Sequence, residues 1–203
     1  MSTASFTTLD LVRHGEIATR GLLCASSAEP LSAKGKTQLE TLKPGLKWDL
    51  IVSSPYKRCG DFAQELASSQ GQPLIIDPAW QEIDFGAWTD VTRESIWASD
   101  RQQLLQLWSD PMNFTAPGGE SMVDFTNRVQ TAFAKLLETH AGKSILMLSH
   151  AGVLRAILAN ALGIDYHSTQ KFNVEHAKIN RLRAYPDGEF SLLNWACTAS
   201  ELA

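Results

Sequence analysis

The pattern of apolar and polar positions along the chain predicts strands that alternate with helices. Short apolar runs predict four strands, at residues 7–13, 49–53, 73–77 and 144–149. Apolar residues at helical spacing predict one helix from Ser121 to Leu137 and another from Val153 to Leu162, with Gly163 ending the second. Alternation of this kind is typical of a largely parallel sheet.

Two more helices are indicated by their first residues. Ser54 followed by Pro55 predicts an N-cap and a first helical position, with the helix continuing to about Ala67 and Arg58 in its first turn. Ser32 predicts the cap of a helix that contains the GKT at residues 35–37. No strand precedes this GKT, so we do not interpret it as a nucleotide-binding loop.

The end of the chain predicts a hairpin. Residues 178–185 and 189–195 flank the turn PDG. We therefore expect a three-layer α/β/α fold with a mostly parallel sheet, an antiparallel edge and a small helical lobe over the site. Residues 1–203 are expected to form a single domain, with the lobe at about residues 80–118.

Composition narrows the possible partners. The chain has 203 residues, a hydrophobic fraction of 44% and a formal net charge of −4, with no run of basic residues. This disfavours nucleic acid and membranes as partners. The N-terminus has no signal-peptide pattern, and Cys24, Cys59 and Cys197 form no CxxC, so we expect a cytoplasmic protein without a zinc site. The oligomeric state is left open.

Two predicted strands end in a histidine followed by a glycine turn. These are LVRHG at residues 11–15 and MLSHAG at residues 147–152. Ligand sites of open α/β sheets lie beyond the carboxyl ends of the strands, so His14 and His150 are expected to converge. Either histidine alone would more often be a hydrogen-bonded core residue, and the pair favours a functional site. His140, His167 and His176 show no comparable pattern and are assigned no role.

Charged residues near the same edge suggest an anion site. Arg13 adjoins His14, and Arg58 lies at a predicted helix start, where guanidinium groups and backbone N–H groups suit phosphate oxygens. A surface ion pair is the alternative for Arg58. After the third strand, EIDFGAW offers Glu82 and Asp84 as general acids, and spacing alone does not choose between them.

These residues stand in motifs that resemble the histidine phosphatase superfamily, also called the phosphoglycerate-mutase-like family. Five motifs follow the family's order: LVRHGE (11–16), SSPYKR (53–58), EIDFGAW (82–88), PGGES (117–121) and LSHAGVLR (148–155). The resemblance implies that His14 is the phosphorylated nucleophile and that Arg13 and Arg58 bind phosphate. It also implies that a protonated His150 contacts the phosphoryl group and that Glu82 is the proton donor.

The resemblance further implies a metal-independent phosphomonoesterase that needs no cofactor and acts on a small-molecule phosphate monoester. Chain length and the FGAW and PGGES elements are most similar to the α-ribazole phosphatase branch, which serves cobalamin biosynthesis. A phosphoglycerate mutase, a broad-specificity sugar-phosphate phosphatase and a non-catalytic phosphate-binding module are the alternatives. Arg20 stands where the family often has asparagine. We expect it to face solvent, and the alternative is that it replaces the asparagine as a third cation. The tryptophans at 80, 88, 97 and 108 are expected to pack in a core.

Overall fold

A six-stranded sheet forms the centre of the part of the chain that the computed structural model describes, residues 6–43 and 45–202. The strands are β1 (Thr7–Arg13), β2 (Leu50–Ser53), β3 (Leu74–Ile76), β4 (Ser144–Ser149), β5 (Ile179–Ala184) and β6 (Phe190–Cys197). The helices are α1 (Ala33–Glu40), α2 (Lys57–Gln70), α3 (Arg93–Ser99), α4 (Arg101–Ser109), α5 (Met122–Thr139), α6 (Ala151–Leu162) and α7 (Tyr166–Thr169). Short 3₁₀ turns lie between these elements at Pro78–Trp80, Gly86–Trp88 and Pro111–Asn113, and another follows β6 at Ala199–Glu201.

The strand order is β3-β2-β4-β1-β5-β6. The first four strands are parallel to one another, whereas β5 is antiparallel to β1 and β6 is antiparallel to β5. This confirms the predicted mostly parallel sheet with an antiparallel edge. The chain therefore brings β1 and β4 side by side at the middle of the sheet, although most of the sequence separates them.

Helices cover both faces of the sheet because successive strand residues point to opposite sides. Leu9 and Leu11 of β1 belong to a core that includes residues of α5 and α6. Val12 belongs to a second core on the other face, which includes residues of α1 and α2. The sheet, with helices packed on each of its faces through these two cores, therefore forms the predicted three layers.

One charged group is buried between the layers. Asp10 of β1 has no exposed surface, and its two carboxylate oxygens accept hydrogen bonds from the Arg181 guanidinium at 2.7 and 2.8 Å. The indole N–H of Trp48 donates to the same carboxylate at 2.8 Å. Removing Arg181 would be destabilising, since it would leave the buried Asp10 carboxylate without a compensating charge.

The predicted start of α2 is wrong. The helix begins at Lys57 with Tyr56 as its N-cap, so Pro55 is not its first residue. Ser54 does not cap the helix because its hydroxyl accepts the Tyr56 N–H at 3.3 Å and hydrogen-bonds to the His150 ring at 2.8 Å. Arg58 nevertheless falls in the first turn, as predicted.

The other caps agree with the sequence. Ser32 caps α1 and Ser121 caps α5 through their side-chain oxygens, and α6 ends at Gly163 with φ +61°. In the described residues, no helix combines the length and the apolar character that crossing a bilayer requires.

Candidate active site

The site lies at the carboxyl ends of β1 and β4. Arg13 and Ser149 are paired at the ends of these strands, and the His14 N–H donates to the Ser149 carbonyl at 2.9 Å. The next residues are therefore His14 and His150, whose ring centroids lie 5.3 Å apart with planes at 62°. The predicted convergence of the two histidines is confirmed.

Only one ring nitrogen of His14 has a hydrogen-bond partner among the described residues. Its Nδ1 lies 2.7 Å from the carbonyl oxygen of Gly15. A carbonyl can only accept, so Nδ1 carries the proton and Nε2 of the neutral ring keeps its lone pair. Burial, together with the positive charges of Arg58 and Arg13, holds the pKa of His14 well below its ordinary value. A neutral imidazole with a free Nε2 is a nucleophile at neutral pH.

Close backbone packing fixes the Gly15 carbonyl. A Cβ at Gly15 would lie 2.2 Å from the carbonyl oxygen of Gly35 in α1, and one at Gly35 would lie 2.0 Å from that of Glu16. Glycine at both positions lets α1 approach the turn after β1. The glycine of the GKT therefore contributes to this contact.

Arg13 and Arg58 supply the positive charge of the site. Arg58 has 3% of its surface exposed, and its Nη1 donates to the Ser26 carbonyl at 2.6 Å, so it is not the surface ion pair considered as the alternative. Arg13 donates to the Val174 carbonyl at 3.0 Å. Burial lowers the pKa of Arg13 to about 10, which still leaves it charged at neutral pH. The Nε atoms of both arginines are buried without a partner in the described part of the chain.

Glu82 lies against the first turn of α6. Its Oε2 accepts the Gly152 N–H at 3.2 Å, and its Oε1 accepts the Ile83 N–H at 3.3 Å. A Cβ at Gly152 would lie only 2.2 Å from Oε1, so this contact requires glycine. Asp84 instead accepts the Gly86 N–H within its own turn at 2.8 Å.

His150 has no exposed surface. Its Nε2 lies 2.8 Å from the Ser54 hydroxyl, and its Nδ1 is buried without a partner among the described residues. Burial, together with His14, Arg58 and Arg13, holds the pKa of His150 well below its ordinary value. His150 is therefore neutral before an anion binds, because the same arginines that suit an anion repel an imidazolium. Its expected protonation beside a bound phosphoryl group stays a prediction.

A cavity of about 280 Å³ joins four of the five predicted site residues, and His150 is not among its lining residues. Arg13, His14, Arg58 and Glu82 line it together. Arg20 is exposed and also lines this cavity, so it lies where the site meets solvent.

A second cavity, of about 350 Å³, shares Arg13 and Glu82 with the first. Its wall includes Arg93, Trp108 and Arg155.

The four tryptophans between residues 80 and 108 differ in burial. Those at 80 and 88 are buried in the core as expected, that at 97 is 43% exposed, and that at 108 is half-buried in the wall of the second cavity.

Three residues of the site were not predicted from the sequence. Ser54 contacts His150, and Gly152 contacts Glu82. His176 lines the first cavity, and its ring centroid lies 5.4 Å from that of His14. Ser54 follows β2 directly, so its place at the carboxyl edge of the sheet could have identified it.

The chain is similar to several known proteins. A family model described as "Histidine phosphatase superfamily (branch 1)" matches residues 9–198. The "Adenosylcobalamin/alpha-ribazole phosphatase" of Escherichia coli K12 is 29% identical over 170 residues, covering 81% of this chain and 84% of that protein. A protein of Escherichia fergusonii named "Probable phosphoglycerate mutase GpmB" is 26% identical over 190 residues, covering 91% of this chain and 88% of that protein.

A solved structure has the same fold. The crystal structure of the alpha-ribazole phosphatase from Shigella flexneri superposes with a TM-score of 0.82 at 27% identity. The match covers 93% of this chain and 96% of that chain.

Proposed function

The chain belongs to the histidine phosphatase superfamily (branch 1), and from this premise we propose that it hydrolyses phosphate monoesters through a phosphohistidine at His14. The observation that carries the proposal is the free Nε2 of a neutral His14 in one cavity with Arg13, Arg58 and Glu82.

In the first step, Nε2 of His14 attacks phosphorus in line with the bond to the leaving group. The N–P bond forms as the P–O ester bond breaks, and its electron pair goes to the departing oxygen. Arg13 and Arg58 stabilise the charge on the phosphoryl oxygens, and electrostatic donors of this kind are typically worth roughly 10² to 10³ in rate each. Protein cations take the role that magnesium has in many phosphoryl-transfer enzymes.

Glu82 is proposed as the proton donor and acceptor. The protonated carboxyl gives its proton to the departing oxygen, and the resulting carboxylate then takes a proton from the water that attacks phosphohistidine. Its contact with the Gly152 N–H fixes the carboxyl at the start of α6.

His150 is proposed to contact the phosphoryl group through one N–H. A neutral ring still has one proton to donate. Ser54 at 2.8 Å fixes the orientation of the ring.

For the substrate, we propose α-ribazole 5′-phosphate. The names of the Escherichia coli relative and of the Shigella flexneri structure support this choice. The cavity of about 350 Å³ beside Glu82 is proposed to receive the leaving group, and residues of the 80–118 segment, including Trp108, form part of its wall. A phosphoglycerate mutase is the second candidate, because a relative at 26% identity carries that name.

The decisive variant for the mechanism is His14→Ala. We expect no turnover of an aryl phosphate and no acid-labile phosphoryl label after rapid quenching, because the variant has no nucleophile. His140→Ala is the matched control, since His140 caps the far end of α5, and it should keep wild-type turnover. Wild-type turnover by His14→Ala would contradict the mechanism.

A panel of phosphate monoesters tests the substrate. It should contain α-ribazole 5′-phosphate, sugar phosphates and phosphoglycerates, compared by kcat/KM, together with a mutase assay with added bisphosphoglycerate. The highest kcat/KM is expected for α-ribazole 5′-phosphate. A preference for phosphoglycerates, or mutase turnover that exceeds hydrolysis, would support the second candidate instead.

A further inference from the structure

His176 lies across the end of β1, although nothing in the sequence pattern marked it. Residue 176 forms a bridge with Arg13. On one side the Arg13 guanidinium donates to the Val174 carbonyl at 3.0 Å, and on the other the Ala177 N–H donates to the Arg13 carbonyl at 2.9 Å. Two hydrogen bonds to one arginine thus fix the backbone around His176.

The backbone next to His176 is in a strained conformation. Ala177 has φ +54°, in the left-handed region that a residue with a side chain rarely adopts. Ala177 is nevertheless buried, and its N–H is bonded to Arg13. Strained positions that the surrounding contacts enforce are concentrated at functional sites.

The contacts of His176 define which of its nitrogens is free. Nδ1 lies 2.8 Å from the carbonyl oxygen of His14, so Nδ1 carries the proton. Within residues 6–43 and 45–202, Nε2 has no hydrogen-bond partner, and it is not a buried atom. Because His176 lines the cavity shared by Arg13, His14, Arg58 and Glu82, a ligand in that cavity can reach it.

The charged groups around His176 come from β1, the turn after it and α1. Arg13 and His14 adjoin the ring, while Glu16 and Lys34 form an ion pair of 2.8 Å nearby. Burial and the positive charge of Arg13 lower the pKa of His176, so the ring is neutral before an anion binds. A phosphate dianion bound by Arg13 and Arg58 would offset their positive charge and, as a neighbouring anion, favour the imidazolium.

We propose that His176 is a third active-site histidine, which takes up a proton when phosphate binds and donates Nε2–H to a phosphoryl oxygen. The inference rests on the proposed phosphoryl site at His14. The proton comes from solvent onto Nε2, while Nδ1–H keeps its hydrogen bond to the His14 carbonyl. Phosphate affinity is thereby linked to the protonation of His176.

The test is calorimetry of inorganic phosphate binding in two buffers of different ionisation enthalpy, at about pH 8, where a free imidazole is neutral. The wild type is expected to take up close to one proton per phosphate bound, because a single group changes from neutral to protonated on binding. His176→Asn places an amide where Nδ1 was, so it keeps the donor to His14 and loses Nε2. It should take up less proton and bind phosphate roughly 10- to 100-fold more weakly, the usual range for a hydrogen bond to a charged group.

Two further variants sharpen the result. His176→Gln places an amide near the position of Nε2, and should regain part of the affinity without the proton uptake. His167→Asn is the matched control, because Nδ1 of the exposed His167 also lies close to a backbone carbonyl, that of Trp108 at 2.7 Å. It should bind phosphate like the wild type.

The outcomes separate this inference from the proposed function. Equal affinity and equal proton uptake in the wild type and His176→Asn would overturn the role of His176 and leave the phosphoryl site intact. A wild type that does not bind phosphate would overturn both.

Discussion

Gly152→Ala is expected to damage catalysis while leaving the fold intact. The added Cβ would lie 2.2 Å from Oε1 of Glu82, whereas ordinary contact begins at 3.4 Å, so the carboxyl group has to move by about 1 Å. A displacement of about 1 Å in a reacting group costs roughly 10²-fold in rate. Gly152 lies within α6 at an ordinary φ, and alanine there favours the helix by up to about 1 kcal/mol. The added Cβ would also lie 3.3 Å from Cζ of the buried Phe125, which offsets part of this gain, so stability should be close to that of the wild type.

The assay compares two substrates with different leaving groups. An alkyl phosphate needs the proton from Glu82, whereas an aryl phosphate with an acidic phenol leaves without one, so kcat should fall much further for the alkyl ester. Gly60→Ala is the control, since Gly60 is also helical and its added Cβ would meet its nearest atoms at 3.5 Å. An equal loss for both esters, or no loss for either, would refute the proposed role of Glu82.

Two predictions concern stability. Asp10→Asn removes the charge that pairs with Arg181 and should lower the free energy of unfolding by about 3 kcal/mol, measured by urea denaturation. A decrease of less than about 1 kcal/mol would contradict the buried ion pair. The lowered pKa values of His14 and His150 predict that stability falls as pH drops below about 6.5, because the unfolded chain takes up protons that the folded chain excludes. Each histidine contributes up to about 1.4 kcal/mol per pH unit there, and unchanged unfolding free energies between pH 7.5 and pH 5.5 would contradict this.

Local patterns predicted the strands and the placement of the two strand-end histidines. β1 and β4 have the bounds that their apolar runs indicate, because both strands are buried on both faces and bounded by polar residues. The rule that parallel strands present their carboxyl ends at one edge was enough to bring His14 and His150 together.

The start of α2 and the position of His176 depend on tertiary contacts, which the local sequence pattern does not show. Ser54-Pro55 has the local signature of a helix start, yet the Ser54 hydroxyl bonds His150 from a distant strand, and α2 begins at Lys57. His176 lies in a segment without periodicity, and only the antiparallel pairing of β5 with β1 brings it to the site. A strand that is antiparallel to β1 begins where β1 ends. This rule could have identified His176, which lies just before β5.

The central pairing of β1 with β4 makes enzymatic activity a reporter of complete folding. Most of the described sequence separates the two strands, so a nascent chain that still lacks β4 has no complete set of the proposed phosphoryl-binding residues. During refolding, turnover should therefore return together with β1–β4 pairing and later than helical circular dichroism.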